Sequence, residues 1–189
     1  PGMMPPDIEI RGVRRVSPAF DARHSAVGRR YSYRIQLVRD IFIPHAWFVY
    51  RSLDREAMDR GAAAFNGTHD FTSFCKAASL KDDGNVCAVT LCAFEWHERS
   101  AIFHVRANRF LHHMVRIMVG TLVEIGQGSR PVTAIARILA GRDRSLAGRM
   151  APPEGLFLEE VYYPEKIEEP RWRDSRSTDP TDSSEGESP

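Results

Sequence analysis

The sequence predicts an α+β fold of the ferredoxin-like split β-α-β kind, in which helices pack on one antiparallel sheet. Two observations support this prediction. The hydrophobic pattern switches along the chain between the two-residue period of strands and the 3.6-residue period of helices. The segments defined in this way follow one another as strand, helix, strand, strand, helix, helix and strand, which is the split β-α-β order with one added helix.

Strands are predicted where apolar and polar residues alternate. In residues 29–38, Tyr31 and Tyr33 are expected to face one side of a strand, with Arg30 and Ser32 on the other side. The remaining predicted strands are a hairpin, 86–97 and 101–108, and a closing strand, 156–162.

Helices are predicted from the longer period and from residues that favour helix ends. The first helix follows a capping Ser52 or Asp54 and ends before Gly67. The third helix is expected to stop at Gly141. The predicted ranges are 53–65, 111–126, and from Ser129 or Pro131 to Ala140.

Charge is distributed unevenly along the chain. Residues 165–189 contain eight acidic and four basic side chains, which leaves 22 basic against 17 acidic in residues 1–164. A moderately basic domain over residues 20–164 is compatible with a phosphate-bearing partner. We expect residues 1–19, with four prolines, to be an extended leading segment and residues 165–189 to be a disordered acidic, Ser/Pro-containing tail.

The composition excludes several classes of protein. No apolar run is long enough to cross a membrane, and the first residues do not form a signal peptide. Cys75, Cys87 and Cys92 lack metal-site spacing, so we expect no metal and free thiols in a reducing compartment, the cytoplasm or an organelle. On a regular strand, Cys87 and Cys92 would face opposite sides.

The segment around residues 111–126 is the most distinctive one. As a helix, it would have one broad apolar arc and an opposite cationic face. Arg116, one turn after His112, and a bare Gly120 one turn later would let an anionic backbone approach closely. His112 and His113 could not both ligate one metal ion, since neighbours on a helix point about 100° apart. A core helix with a solvated outer face is the alternative.

Four stretches of sequence together indicate a family. They are Phe20-Asp21-Ala22-Arg23 leading into Arg30-Tyr31-Ser32-Tyr33, then His69-Asp70-Phe71-Thr72-Ser73-Phe74, then Phe110-Leu111-His112-His113-Met114-Val115-Arg116 with Val119-Gly120-Thr121-Leu122, and Glu154-Gly155-Leu156-Phe157-Leu158. Over roughly residues 5–164, the chain resembles the tRNA pseudouridine synthase A family. The resemblance implies the pseudouridine synthase fold, a homodimer, no cofactor, and isomerisation of uridine to pseudouridine in the anticodon stem-loop of tRNA.

The resemblance also implies roles for individual residues. Arg116 matches the family arginine that pairs with the catalytic aspartate, and a guanidinium suits this role because it binds a carboxylate bidentately and keeps its pKa low. Tyr31 matches the tyrosine that stacks on the target base and takes part in proton transfer, and Leu156 matches the apolar residue on the other face of the base. The candidates for contacting RNA are Arg23, Lys76, Arg106, Asn108, Phe110, His112 and His113.

The aspartate loop of the family has no counterpart in this sequence. We therefore expect the chain to be the C-terminal domain of such an enzyme, without the N-terminal half that holds the catalytic aspartate, and inactive alone. Asp70 lies in a motif that looks structural in the family, so it is a poor substitute. The alternatives are a non-catalytic RNA-binding module or a dimerisation module of the same fold, although neither needs both Arg116 and Tyr31.

Overall fold

In this computed structural model, one six-stranded sheet and three α-helices make up the described part of the chain, residues 4–76 and 84–165. The strands are β1 (Gly28–Gln36), β2 (Trp47–Phe48), β3 (Gly67–Asp70), β4 (Val86–Trp96), β5 (Ser100–Ala107) and β6 (Leu156–Tyr162). The helices are α1 (Arg55–Ala63), α2 (Met114–Gly126) and α3 (Ala134–Gly141).

The sheet is antiparallel except for one short pairing. β1 pairs with β5 on one edge and with β6 on the other, β5 pairs with β4, and β4 pairs with β3. The parallel pairing joins β2 to the end of β1. The four long strands therefore lie in the order β6, β1, β5, β4, with helices in the crossovers. This is the split β-α-β arrangement, and the predicted fold class is confirmed.

The core lies between the sheet and the helices, with α2 at its centre. Tyr33 and Ile35 of β1 and Met118 of α2 are fully buried. Every residue of α2 except Arg116 and Glu124 is buried, so this helix has no broad solvated face. The apolar arc was predicted correctly, whereas the opposite face is also covered by protein.

Gly120 leaves no room for the backbone of a bound partner. A Cβ atom built on Gly120 would lie 1.8 Å from the carbonyl oxygen of Arg149 and 3.2 Å from the nitrogen of Ala151. The chain's own backbone therefore occupies the space that we expected an anionic partner to use, and that expectation is wrong.

The helix α2 starts later than predicted, at Met114 rather than at residue 111. His113 has a left-handed backbone conformation, with φ of 66°, which interrupts the helical path before it. His112 and His113 consequently precede the helix, and their rings stack with centroids 3.8 Å apart. The argument that a helix separates these two side chains by 100° does not apply to them.

The ends of the other helices follow local hydrogen bonding. Asp54 is the cap of α1, because its side chain accepts a hydrogen bond of 2.9 Å from the N–H of Ala57. The helix α3 begins at Ala134, later than predicted, since Val132 and Thr133 form a turn. The predicted tail lies outside the described residues except for Glu165.

A β-bulge in β4 changes which side chains face the core. The register between β4 and β5 shifts between Val89 and Leu91. The extra residue reverses the alternation, so Cys87 and Cys92 are both buried on the core side. The prediction that they face opposite sides is therefore wrong.

Two short strands, β2 and β3, were not predicted. They contain two and four residues, which is too short for an alternating pattern to identify. β3 begins at Gly67, whose φ of +107° turns the chain out of α1 and into the sheet.

Candidate active site

A cleft of about 1040 Å³ opens at the N-terminal end of α2, between β1, the turn before α2 and the start of β6. Its lining contains seven of the ten side chains predicted to form the site. These seven are Arg23, Tyr31, Phe110, His112, His113, Arg116 and Leu156.

Arg116 lies in the first turn of α2 and is partly buried. Its Nε donates a hydrogen bond of 2.7 Å to the carbonyl oxygen of Ala151. Among residues 4–76 and 84–165, its two terminal nitrogens have no hydrogen-bond partner. These nitrogens carry four N–H groups in one plane, a geometry suited to a carboxylate or a phosphate.

Tyr31 and Leu156 lie on the same face of the sheet. Tyr31 pairs with Leu158 and Tyr33 pairs with Leu156, so Leu156 is the diagonal neighbour of Tyr31 across β1 and β6. The ring of Tyr31 packs edge-on against Phe110, with ring centroids 5.0 Å apart. An aromatic ring and an aliphatic side chain thus border one cleft, and each offers an apolar surface to a flat ligand.

The lining of the cleft is cationic. It includes four arginines and three histidines, and none of its residues, all within the described part, is Asp or Glu. Burial lowers the pKa of His113, and the charges of His112, Arg116 and Lys76 lower it further. Burial is the larger cause of this shift, and the smaller contributions come from the positive side chains around the start of α2.

Three predicted RNA-contacting residues do not line the cleft. Lys76 lies near it, since its backbone N–H donates to the carbonyl of His112. Arg106 lies opposite Arg30, one residue from Tyr31, and therefore faces the other side of the sheet. There its guanidinium stacks on Tyr162 at 4.1 Å.

Asn108 has a structural contact instead of a position in the cleft. Its Oδ1 accepts hydrogen bonds from the backbone N–H groups of Ala88, at 2.9 Å, and Arg109, at 2.8 Å. The side chain therefore fixes the chain at the end of β5. RNA contact by Lys76, Arg106 and Asn108 stays a prediction.

Asp70 is outside the cleft and is already bonded. Its Oδ1 accepts hydrogen bonds from the N–H and hydroxyl of Thr72, and its Oδ2 lies 3.0 Å from Arg142. Burial acts to raise the pKa of Asp70, but the bonds from Thr72 and the charge of Arg142 lower it overall. These contacts match the structural role expected for its motif.

Residues 4–76 and 84–165 contain neither a metal-binding cluster nor a membrane-spanning helix. No group of three or more His, Cys, Asp or Glu side chains there could hold a metal ion. No helix in this part of the chain has the length and hydrophobicity to cross a bilayer. Cys75, Cys87 and Cys92 are buried, and none of the three forms a disulfide bond.

Comparison with known proteins identifies the family. The family model described as tRNA pseudouridine synthase matches residues 62–164, which is more than half of the chain. This chain belongs to the tRNA pseudouridine synthase family. The matched region includes Arg116 and Leu156, whereas Tyr31 and Arg23 precede it.

Three relatives named tRNA pseudouridine synthase A illustrate the extent of the similarity. The chain is 40% identical to the one from Geobacillus sp. (strain WCH70) over 163 residues, 41% identical to the one from Myxococcus xanthus over 167, and 36% identical to the one from Acinetobacter baumannii (strain AYE) over 171. These matches cover 85%, 86% and 89% of this chain. They cover 65%, 62% and 64% of the relatives, so the chain spans less than two thirds of their length.

Among the further residues that line the cleft, Arg29 and His24 are two polar ones that the resemblance to the family did not single out. Arg29 donates to the carbonyl oxygens of Arg23, Ala26 and Asn108, and so ties the loop before β1 to the wall of the cleft. The Nδ1 atom of His24 lies 2.9 Å from Oδ1 of Asp21. Both residues lie next to motif residues in the sequence, and this proximity was the only available signal.

Proposed function

We propose that this chain forms part of the active site of a tRNA pseudouridine synthase that isomerises uridine in the anticodon stem-loop of tRNA. The observation that supports this most strongly is the meeting of Arg116, Tyr31 and Leu156 in one cationic cleft. The family and the names of its relatives support the reaction class.

The reaction requires three kinds of functional group from the protein. The bond between N1 of uracil and C1′ of the ribose breaks, the base rotates, and C5 bonds to C1′; the C5 proton leaves and N1 takes up a proton. A carboxylate must act as a nucleophile or as a base toward the target nucleotide, and a cation must keep that carboxylate charged. Apolar surfaces must hold the detached base. The target nucleotide must also leave its stack.

Three residues of the cleft provide the cation and the apolar surfaces. The terminal N–H groups of Arg116 bind the carboxylate and hold its pKa low. The ring of Tyr31 and the side chain of Leu156 contact opposite faces of the uracil, and the Tyr31 hydroxyl takes part in proton transfer.

We propose that the catalytic aspartate is supplied by a segment outside these 189 residues and that the chain alone is inactive. Support comes from the described lining of the cleft, in which no residue is Asp or Glu. Further support comes from Asp70, whose carboxylate is engaged by Thr72 and Arg142.

The RNA would bind along the cationic rim of the cleft. Arg23, Arg29 and His113 line this cleft and are assigned to phosphate contacts, and Phe110, which also lines it, is assigned to stacking on a base. Such binding should weaken as salt is added, because each phosphate contact releases counterions. The family resemblance further supports a homodimer that works in the cytoplasm.

Pseudouridine mapping on an unmodified tRNA transcript tests this proposal. The 189-residue chain should yield no pseudouridine, whereas the protein made from the complete reading frame should modify uridines of the anticodon stem-loop. Product from the 189-residue chain would overturn the assignment of the aspartate. RNA binding without product in the complete protein would favour the RNA-binding module, and self-association without RNA binding would favour the dimerisation module.

A further inference from the structure

The face of α2 that includes Arg116 and Gly120 is covered by residues 148–152, which we call the strap. Two side chains of α2 hold the first half of the strap. The hydroxyl of Thr121 accepts a hydrogen bond of 3.0 Å from the N–H of Gly148, and Glu124 accepts one of 2.8 Å from the N–H of Arg149. The absence of a side chain at Gly120 lets the strap backbone lie directly on the helix.

The second half of the strap is bonded to Arg116 at two points. The backbone carbonyl of Arg116 accepts a hydrogen bond of 3.0 Å from the N–H of Ala151. The carbonyl of Ala151 in turn accepts the bond from Arg116 Nε. With Nε held in this way, the edge formed by the two terminal nitrogens is the part of the guanidinium left for an anion.

Tyr33 of β1 holds the end of the strap. This tyrosine is fully buried in the sheet, and its hydroxyl donates a hydrogen bond of 2.7 Å to the carbonyl of Pro152. Burial raises the pKa of Tyr33, so the hydroxyl stays protonated and remains a donor. Pro153 and Leu156, which follow the strap, line the cleft.

We propose that Tyr33 is a positioning residue, whose hydroxyl holds the strap and through it orients Arg116 and Leu156. The catalytic consequence rests on the proposed function. The series of bonds from Tyr33 to Pro152 and from Ala151 to Arg116 belongs to the chain itself and can be tested without any activity.

The first test measures hydrogen exchange at the Nε–H of Arg116 by NMR in the ¹⁵N-arginine-labelled 189-residue chain. The signal is assigned by its loss in Arg116→Lys. Tyr33→Phe keeps the buried ring and should accelerate this exchange about tenfold or more, because the strap then opens locally. The matched control is Ser73→Ala, which removes a buried hydroxyl that bonds Ile138 and Asp143 elsewhere in the fold, and it should leave the exchange unchanged.

The outcomes separate a positioning role from general packing. Unchanged exchange in Tyr33→Phe would overturn the proposal, as would equal acceleration in Ser73→Ala. A second variant, Thr121→Val, releases the other end of the strap and should accelerate the exchange in the same direction. This variant keeps the proposal testable if Tyr33→Phe does not fold.

The second test uses the complete protein and compares kcat with KM. Tyr33→Phe should lower kcat about tenfold or more with little change in KM, because misorientation of a catalytic group slows the chemical step. Ser73→Ala should keep the wild-type kcat. A wild-type kcat in Tyr33→Phe would overturn the proposal. Accelerated Nε–H exchange together with an inactive wild-type protein would refute the proposed function and leave the positioning of Arg116 intact.

Discussion

Replacing Gly120 by alanine tests whether the strap lies as closely on α2 as the structure indicates. The new Cβ would start 1.8 Å from the carbonyl oxygen of Arg149 and 2.9 Å from its carbonyl carbon. Both atoms are backbone, so no side-chain rotation can relieve the overlap. The strap must move outward by about 1.6 Å to restore ordinary van der Waals contact, which begins near 3.4 Å.

The expected cost follows from the bonds that such a movement breaks. The strap makes four hydrogen bonds to α2, through Thr121, Glu124 and Arg116, and each contributes about 1 kcal/mol net. Alanine gains about 1 kcal/mol of helix propensity over glycine. Gly120→Ala should therefore lower the free energy of unfolding by about 2–3 kcal/mol, or Tm by about 5–10 °C for a chain of this size.

Urea and thermal unfolding of the 189-residue chain measure this change. Gly61→Ala is the matched control, since Gly61 is also a buried helical glycine, but its Cβ would meet the far end of the Leu122 side chain at 2.8 Å and not backbone. We expect Gly61→Ala to change stability by no more than about 1 kcal/mol. A Gly120→Ala chain as stable as wild type, or only as destabilised as Gly61→Ala, would refute the close packing of the strap.

Three further predictions concern residues outside the catalytic assignment. Asp70→Asn should lower the free energy of unfolding at pH 7, because the lowered pKa of Asp70 stabilises the fold while the carboxyl is ionised. The difference in stability between variant and wild type should fade as pH falls below about 4. A pH-independent difference in urea unfolding would contradict this. Glu124→Ala should lower the free energy of unfolding by about 1–3 kcal/mol in the same assay, since the N–H of Arg149 and the side chain of Arg130 lose their acceptor. A variant as stable as wild type would exclude this role of Glu124. The three cysteines should react with a thiol reagent only after unfolding, because all are buried and burial raises the pKa of each thiol; a rapidly reacting thiol in the native chain would contradict the structure.

The long helices and strands could be predicted because each one has enough residues to show its period. β6 was predicted to the residue, and β4 and β5 to within one residue at each end. The shorter β2 and β3 depend on pairing with β1 and β4, which local sequence does not reveal. The bulge at Val89–Leu91 likewise becomes visible only through its partner strand.

Seven of the ten predicted site residues line the cleft, whereas the backbone that supports them was not predicted. Tyr31, Arg116 and Leu156 come from three distant motifs, and the fold brings all three to one cleft. The cover over Gly120 could not be predicted, because it comes from a strap about 30 residues away that has no periodic pattern. The left-handed His113 was missed because a bulky residue rarely adopts that conformation without tertiary support.

The kinetics of Arg116→Lys in the complete protein test the central claim most directly. Lysine keeps the positive charge but loses the planar pair of terminal nitrogens that suits a carboxylate. We predict that kcat for pseudouridine formation falls by about 100-fold or more with a nearly unchanged KM. The control Arg60→Lys, on the exposed side of α1 beside Glu56, should behave as wild type. A wild-type kcat in Arg116→Lys would contradict the assignment of this cleft as the site of uridine isomerisation.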